Sequence, residues 1–263
     1  MRVVLQAQEP AFIHIRVSKQ LDMRVPGACD TGKRQVSSLK QNAIMYYRAD
    51  EAFSPEAFGS QLARLVSEIR EEKRKNRVLY LCIGSDRSTG DSLGPLIGHM
   101  LTTREPGYLF GKYGGPDTPV RQRAVCGYDR PDVLGTLRQP VHAVNLEEMI
   151  ELIEQEYQDA VVVAIDASIG SREHVGCITL SKGAMKPGLG VSKDLSAVGH
   201  ISITGIVGSQ GRFEPLILQN TRLSMVMELA DCICRGIETV GFLSKTFLSP
   251  QTENDSLRIR PVV

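Results

Sequence analysis

Two short, continuous apolar runs stand out in the hydrophobic pattern of the chain, at residues 78–83 and 160–165. Runs of this length that are rich in β-forming residues predict strands covered on both faces of a sheet. Weaker patterns predict five further strands. We place these at residues 3–5, 12–17, 142–144, 175–180 and 200–207.

Apolar residues at helical spacing predict four helices between and after these strands. We place them at residues 55–75, 92–100, 146–157 and 220–240. Strands that alternate with helices predict the α/β class, here a three-layer α/β/α sandwich with a mainly parallel central sheet.

The length of 263 residues suits one large domain with its own core. We assign residues 43–245 to that domain, with residues 1–42 as an N-terminal appendage and 246–263 as a C-terminal tail. Residues near 105–132 are rich in glycine and proline and lack periodicity, which predicts an irregular insertion.

The composition points away from nucleic acid and membranes as partners. The formal net charge is +1, so no strong field would attract a phosphate backbone or an anionic lipid surface. No apolar run approaches a membrane span, and the first residues lack the apolar region of a signal peptide. We therefore expect a cytoplasmic protein, and the sequence leaves homo-oligomerisation open.

Six cysteines are scattered along the chain without a C-x-x-C pair. This spacing does not favour a zinc site, and in a cytoplasmic protein it predicts free thiols. Cys82 lies inside the first apolar run and is expected to act as a small hydrophobic residue. The sequence predicts no metal and no cofactor.

The candidate chemistry begins in the polar segment that follows the first apolar run. This segment places Asp86, Thr89 and Asp91 at the carboxyl end of a strand, where open α/β sheets bind their ligands. Asp91 could instead be the N-cap of the following helix. A nucleotide-binding loop is not favoured, because neither G-x-G-x-x-G nor a following Gly-Lys-Ser/Thr is present.

Asp166 directly follows the second apolar run. If the two runs form neighbouring strands, Asp91 and Asp166 approach the same crevice. Two close carboxylates tend to share a proton, so one can activate water while the other protonates a leaving amine. Paired acids at strand ends could equally hold a metal or cap helices.

Five motifs, in chain order, resemble the YyaC family of sporulation proteins: GSDRSTGDSLGP, AIDASIG, KPGLGV, ISITGIV and LQNTRLSMVM. The resemblance covers roughly residues 43–101 and 133–240. YyaC proteins in turn resemble the germination protease of endospore-forming bacteria and, more distantly, the hydrogenase maturation endopeptidases. The implied fold is the phosphorylase/hydrolase-like α/β/α sandwich of these peptidases.

The germination protease has a T-P-D-A-L-G-P motif with a catalytic aspartate, and residues 89–95 resemble it with Gly90 in place of the proline. Its second catalytic aspartate ends a strand as I-D-A, which matches residues 165–167. Its P-G-S-G-V-G loop resembles residues 187–191. The resemblance thus implies Asp91 and Asp166 as catalytic residues. It also implies a substrate-binding set of Asp86, Thr89, Gly90, Gly188 and Gly190.

The sequence therefore predicts an aspartate-dependent peptidase of the sporulating cell or forespore, with a protein or peptide substrate. One alternative is a catalytically inert sporulation protein that binds a protein partner. Another is a metal-binding protein like the maturation endopeptidases, which would need a third ligand such as Asp86. His200 is not matched to the metal-binding histidine of those enzymes, because a histidine that opens a strand is more often structural.

Overall fold

A computed structural model describes residues 43–50, 52–103, 131–187, 196–211 and 214–248, with side chains described except at 214 and 241–248. Six strands occur in these ranges. They are β1 (Met45–Arg48), β2 (Arg77–Cys82), β3 (Asp132–Leu134), β4 (Ala160–Gly170), β5 (Cys177–Lys182) and β6 (Ile201–Ser209). They form one sheet in the order β1-β5-β6-β4-β2-β3.

Strands β3, β2, β4 and β6 pair in parallel, while β5 pairs antiparallel with both β6 and β1. The described helices are α1 (Pro55–Lys73), α2 (Leu93–Thr103), α3 (Leu146–Glu156), α4 (Glu214–Asn220) and α5 (Leu223–Leu248). Helices α1, α2 and α5 supply the core on one face of the sheet, and α3 covers the other face. The predicted α/β class with a mainly parallel sheet is confirmed.

The two apolar runs are parallel neighbours, as predicted. Val78 pairs with Val161 and Cys82 pairs with Ile165, so the runs lie side by side in the middle of the sheet. Leu79 and Val163 are fully buried, on opposite faces of the sheet. Continuous apolar runs suit these strands because helices cover the sheet on both sides.

Helix α1 begins where the sequence predicts, since Ser54 caps it and Pro55 occupies its first position. The Ser54 hydroxyl accepts a hydrogen bond from the backbone N–H of Ala57 at 3.1 Å. Arg74 ends the helix in a left-handed conformation with φ 53°. The predicted second helix starts slightly later, at Leu93, because residues 90–92 form a 3-10 turn.

Strand β4 is longer than predicted, and this changes the position of Asp166. The strand continues to Gly170 because β6 pairs with it as far as Ser209, well beyond the end of β2. Asp166 therefore lies within the strand and does not follow it. A strand can continue through a charged residue when backbone pairing with a neighbour continues.

The predicted strand at residues 142–144 is wrong. These residues form a turn in which the Asn145 side chain accepts from the His142 N–H at 2.8 Å and donates to the Pro140 carbonyl at 3.1 Å. Val144 is 82% exposed, so its apolar side chain does not mark a buried strand. Local bonds from an asparagine side chain compete with strand pairing in such turns.

Strands β1 and β3 and helix α4 were not predicted from the sequence. Each is short, at 4, 3 and 7 residues, and such segments hold too few positions to show periodicity. Strand β3 begins at Asp132, the last residue of the predicted insertion, and α5 extends three residues into the predicted tail. The predicted strands at residues 3–5 and 12–17 lie outside the described residues, and the domain division stays a prediction.

Candidate functional site at the carboxyl end of the sheet

A short loop joins β2 to α2 and carries Asp91. The Ile83 N–H donates to the Ile165 carbonyl at 2.7 Å, so the chain leaves β2 directly beside β4. The Ser85 N–H then donates to the Asp91 Oδ2 at 2.7 Å. Since this carboxylate binds an N–H six residues earlier, Asp91 closes the loop. Asp91 lies inside the 3-10 turn at residues 90–92 and α2 begins at Leu93, so its interpretation as an N-cap of α2 is wrong.

Asp166 lies two strands from the edge of the sheet and is only 8% exposed. It is the one charged residue classed as buried among the described residues. Its Oδ1 accepts from the N–H of Ala167 at 2.8 Å. Burying a carboxylate costs free energy unless bonds or a function compensate for it, so this position is a strong candidate for chemistry.

Asp166 lies in β4, and Asp91 lies in the turn that follows the neighbouring strand β2 at the same end of the sheet. The 3-10 turn that carries Asp91 contacts β4. Strand alternation puts Asp166 on the face that α3 covers, because Val162 and Ala164 belong to the core on that face. The Asp91 turn leads into α2 on the opposite face. The structure thus brings both residues to the carboxyl end of the sheet, and a shared proton or water stays a prediction.

A chain of hydroxyl groups crosses the sheet next to Asp166, and sequence reasoning missed it. Thr204 is the register partner of Asp166 in β6. The Thr204 hydroxyl lies 2.7 Å from the Thr179 hydroxyl and accepts from the Ser168 hydroxyl at 3.1 Å. The signal was the alternation of polar and apolar residues in part of each strand, with Thr179 and Ser181 in β5 and Ser202 and Thr204 in β6, which marks a stretch of one sheet face that is not packed with apolar side chains.

The predicted substrate-binding residues are only partly covered by the described ranges. Asp86 is exposed at the tip of the loop, and Thr89 is half-buried. Gly90 is buried, and a Cβ on it would lie 3.0 Å from the Leu218 backbone in α4. Gly188 and Gly190 lie outside the described residues. The binding role of all five residues stays a prediction.

Comparison with known proteins gives two matches. Residues 46–126 and 124–236 match the family described as "Protein of unknown function (DUF1256)". The chain is also 34% identical over 206 residues to "Uncharacterized protein YyaC" of Bacillus subtilis (strain 168), which is 78% of this chain and 85% of the relative. The chain belongs to this family. The YyaC resemblance drawn from the five motifs is thereby confirmed.

His200 of this YyaC-family chain has a structural role at the other end of the sheet. Its Nδ1 accepts from the N–H of Val162 at 2.9 Å, and its own N–H donates to the Val162 carbonyl at 2.7 Å. Val162 precedes Asp166 by four residues, which is about 13 Å along a strand. Across the described ranges, no three His, Cys, Asp or Glu side chains are grouped so that they could hold a metal ion.

We expect His200 to make the stability of the YyaC-family domain pH-dependent. Burial, with Lys73 and Lys75 nearby, lowers the pKa of His200 from its ordinary value of 6.5. The unfolded chain therefore binds the proton more readily, so the stabilisation is complete above pH 6.5 and is lost as the pH falls toward the folded-state pKa. Urea unfolding between pH 5 and 7.5 measures this loss.

The matched variant is His200→Asn, whose side-chain oxygen can accept from the Val162 N–H but does not titrate in this range. The difference in unfolding free energy between the wild type and this variant should change with pH only below pH 6.5. A difference that is constant from pH 5 to 7.5 would contradict the role assigned to His200.

The described cysteines are free thiols, as predicted, and all four are buried: Cys82, Cys177, Cys232 and Cys234. Burial raises the pKa of the Cys232 thiol to about 11. A thiol with such a pKa is almost wholly protonated at neutral pH and is a poor nucleophile. Cys29 and Cys126 lie outside the described residues. No described helix has the length and apolarity needed to cross a membrane.

A cavity of about 760 Å³ lies between the carboxyl end of β6, α4 and the start of α5. Neither Asp91 nor Asp166 lines it. It is nevertheless close to the aspartate loop, because α4 has Ile217 in the cavity wall and Leu218 against Gly90. One short helix thus separates the cavity from the turn that carries Asp91.

Proposed function

We propose that this YyaC-family protein is an aspartate-dependent hydrolase that cleaves a peptide bond, with Asp91 and Asp166 as the catalytic pair. The observation that carries the proposal is the burial of Asp166, at 8% exposure, on the strand next to the loop that Asp91 closes. The similarity of both motifs to those of the germination protease adds to it. We place the activity in the cytoplasm of the sporulating cell or forespore.

The proposed chemistry needs one ionised and one protonated carboxyl group. The ionised carboxylate accepts a proton from water as the water oxygen attacks the scissile carbonyl carbon. The protonated carboxyl then gives its proton to the amide nitrogen as the C–N bond breaks. Two acids in unlike surroundings suit this division into one ionised and one protonated carboxyl group. Asp166 is more buried than Asp91, so their surroundings differ. Asp86, Thr89 and Gly90 would contact the substrate at the mouth of the loop.

The second candidate function is that of a catalytically inert protein that binds a protein partner. One observation favours it: the cavity of about 760 Å³ beside α4 is lined by neither aspartate. In this case Asp166 would serve the fold through its bond to the Ala167 N–H. The two candidates differ in whether new chain termini appear when the protein meets its partner.

Incubation of the purified protein with a spore protein extract, followed by mass spectrometry of new chain termini, tests the proposal. We expect termini that appear with the wild type and are absent with the Asp91→Asn/Asp166→Asn double variant. Asp159→Asn is the matched control. Asp159 directly precedes strand β4 at its amino end, and it belongs neither to the loop that carries Asp91 nor to the lining of the cavity beside α4. Cleavage that a chelator abolishes would favour the metal-dependent alternative instead.

A further inference from the structure

The cavity beside α4 has an apolar floor and a charged rim. Apolar side chains from β6, α4, α5 and the segment before β5 line it, namely Val175, Val207, Leu216, Ile217 and Met225. Leu216 is 55% exposed, so part of this apolar surface faces solvent. A solvent-facing apolar surface in a concave site is typical of places where ligands or partner chains bind.

Two arginines stand at the rim of this cavity, Arg172 and Arg222. Both are exposed, and neither side chain makes an ion pair or a hydrogen bond with another described residue. Among the residues whose side chains are described, no aspartate or glutamate lines the cavity. The cavity thus presents two unpaired positive charges above an apolar floor.

A second cavity of about 390 Å³ adjoins the first, because Arg222 and Met225 line both. Its charges are already balanced in part, since Arg48 pairs with Asp50 at 3.2 Å and Glu228 also lines it. The two cavities together form a trough along the start of α5. Of the two arginines without an ion pair to a described residue, Arg222 lines both cavities and Arg172 lines only the first.

We propose that this trough binds an extended segment of a partner protein in which an acidic side chain stands next to an apolar one. The apolar side chain would pack on the cavity floor, and the carboxylate would lie between Arg172 and Arg222. Arginine suits this role because its planar guanidinium group donates paired hydrogen bonds to a carboxylate. The charge complementarity at the rim selects the acidic residue, and the apolar floor selects its neighbour.

This inference goes beyond the proposed hydrolysis and does not require it. If the protein cleaves peptides, the trough holds a part of the substrate that is one short helix away from the Asp91 loop. If the protein is inert, the same trough is its partner site. Binding measured with the Asp166→Asn variant, in which cleavage is blocked, separates the two questions.

Fluorescence anisotropy with a labelled peptide tests the inference on the full chain. The probe is a peptide blocked at both ends, Gly-Ser-Leu-Glu-Leu-Ser-Gly, with two control peptides that carry Gln for Glu or Ser for both Leu residues. We expect saturable binding of the probe that weakens with salt, and clearly weaker binding of both controls. Arg172→Ala and Arg222→Ala should each weaken binding by about threefold to tenfold.

Arg138→Ala is the matched control, since Arg138 is also exposed but lines neither cavity. Charge reversal sharpens the test: Arg222→Glu should reject the Glu peptide and bind the same peptide with Lys in place of Glu. Leu216→Ser should weaken probe binding and leave its dependence on salt unchanged. These substitutions are at exposed positions, so the variants should keep the wild-type melting temperature.

Several results would overturn the inference. One is the absence of saturable probe binding to the wild type, and another is equal binding by wild type and Arg222→Glu. Binding that depends on salt but not on the Leu residues would indicate a general polyanion site. A dimer that Leu216→Ser dissociates would show that a second copy of the chain occupies the trough. Cleavage that persists in a variant that has lost probe binding would show that the trough does not hold the substrate, and it would leave the proposed hydrolysis standing.

Discussion

Asp91→Asn and Asp166→Asn are each expected to lower the rate of peptide cleavage by at least about 100-fold, because positioned acid–base groups contribute about 100- to 10,000-fold. The double variant should be hardly slower than either single variant, since a catalytic pair acts as a unit. Cleavage rates of all three variants on one peptide substrate, identified from the new termini, give the comparison.

The fold should survive both substitutions. Asparagine keeps a side-chain oxygen that can accept from the Ser85 N–H at position 91 and from the Ala167 N–H at position 166. Unchanged melting temperatures would show that lost cleavage is a loss of chemistry. Cleavage by either single variant at a rate close to that of the wild type would refute the catalytic pair and favour the partner-binding candidate.

Gly84→Ala is expected to destabilise the domain by several kcal/mol, because two independent costs arise at this position. Gly84 has φ +137°, a conformation that residues with a Cβ rarely adopt. A Cβ there would also lie 2.0 Å from the Asp91 carbonyl oxygen. Left-handed strain costs about 1–3 kcal/mol, and forced overpacking costs a further 1–3 kcal/mol or so.

Gly183→Ala separates these two costs. Gly183 has a similar φ of +127°, but a Cβ there would meet nothing within 4 Å. The Gly183→Ala variant should therefore lose only the unfolding free energy that backbone strain costs. Urea unfolding of the two variants measures the difference, which reports how tightly the Asp91 loop packs over the end of β2. Equal losses of unfolding free energy in the two variants would contradict the close approach of Gly84 to the Asp91 carbonyl oxygen.

Sequence reasoning worked where a pattern was long and its cause was local. The apolar runs that became β2 and the first part of β4 were found because helices cover both faces of these strands, which leaves no polar position in them. Helix α1 was found from its apolar stripe, which begins just after Pro55. Sequence reasoning failed for β1, β3 and α4, since segments this short hold too few positions to show a hydrophobic period.

By itself, the sequence determined the α/β class, the two central strands and the family, because these depend on local patterns and on motifs that stand in order along the chain. Only the tertiary structure decided that Asp91 closes a loop onto Ser85, that Asp166 lies within a strand beside Thr204, and that α4 separates the Asp91 turn from an arginine-rimmed trough. These relations join residues that are distant in sequence. Long-range strand pairing and close packing create them, and no local period encodes such contacts.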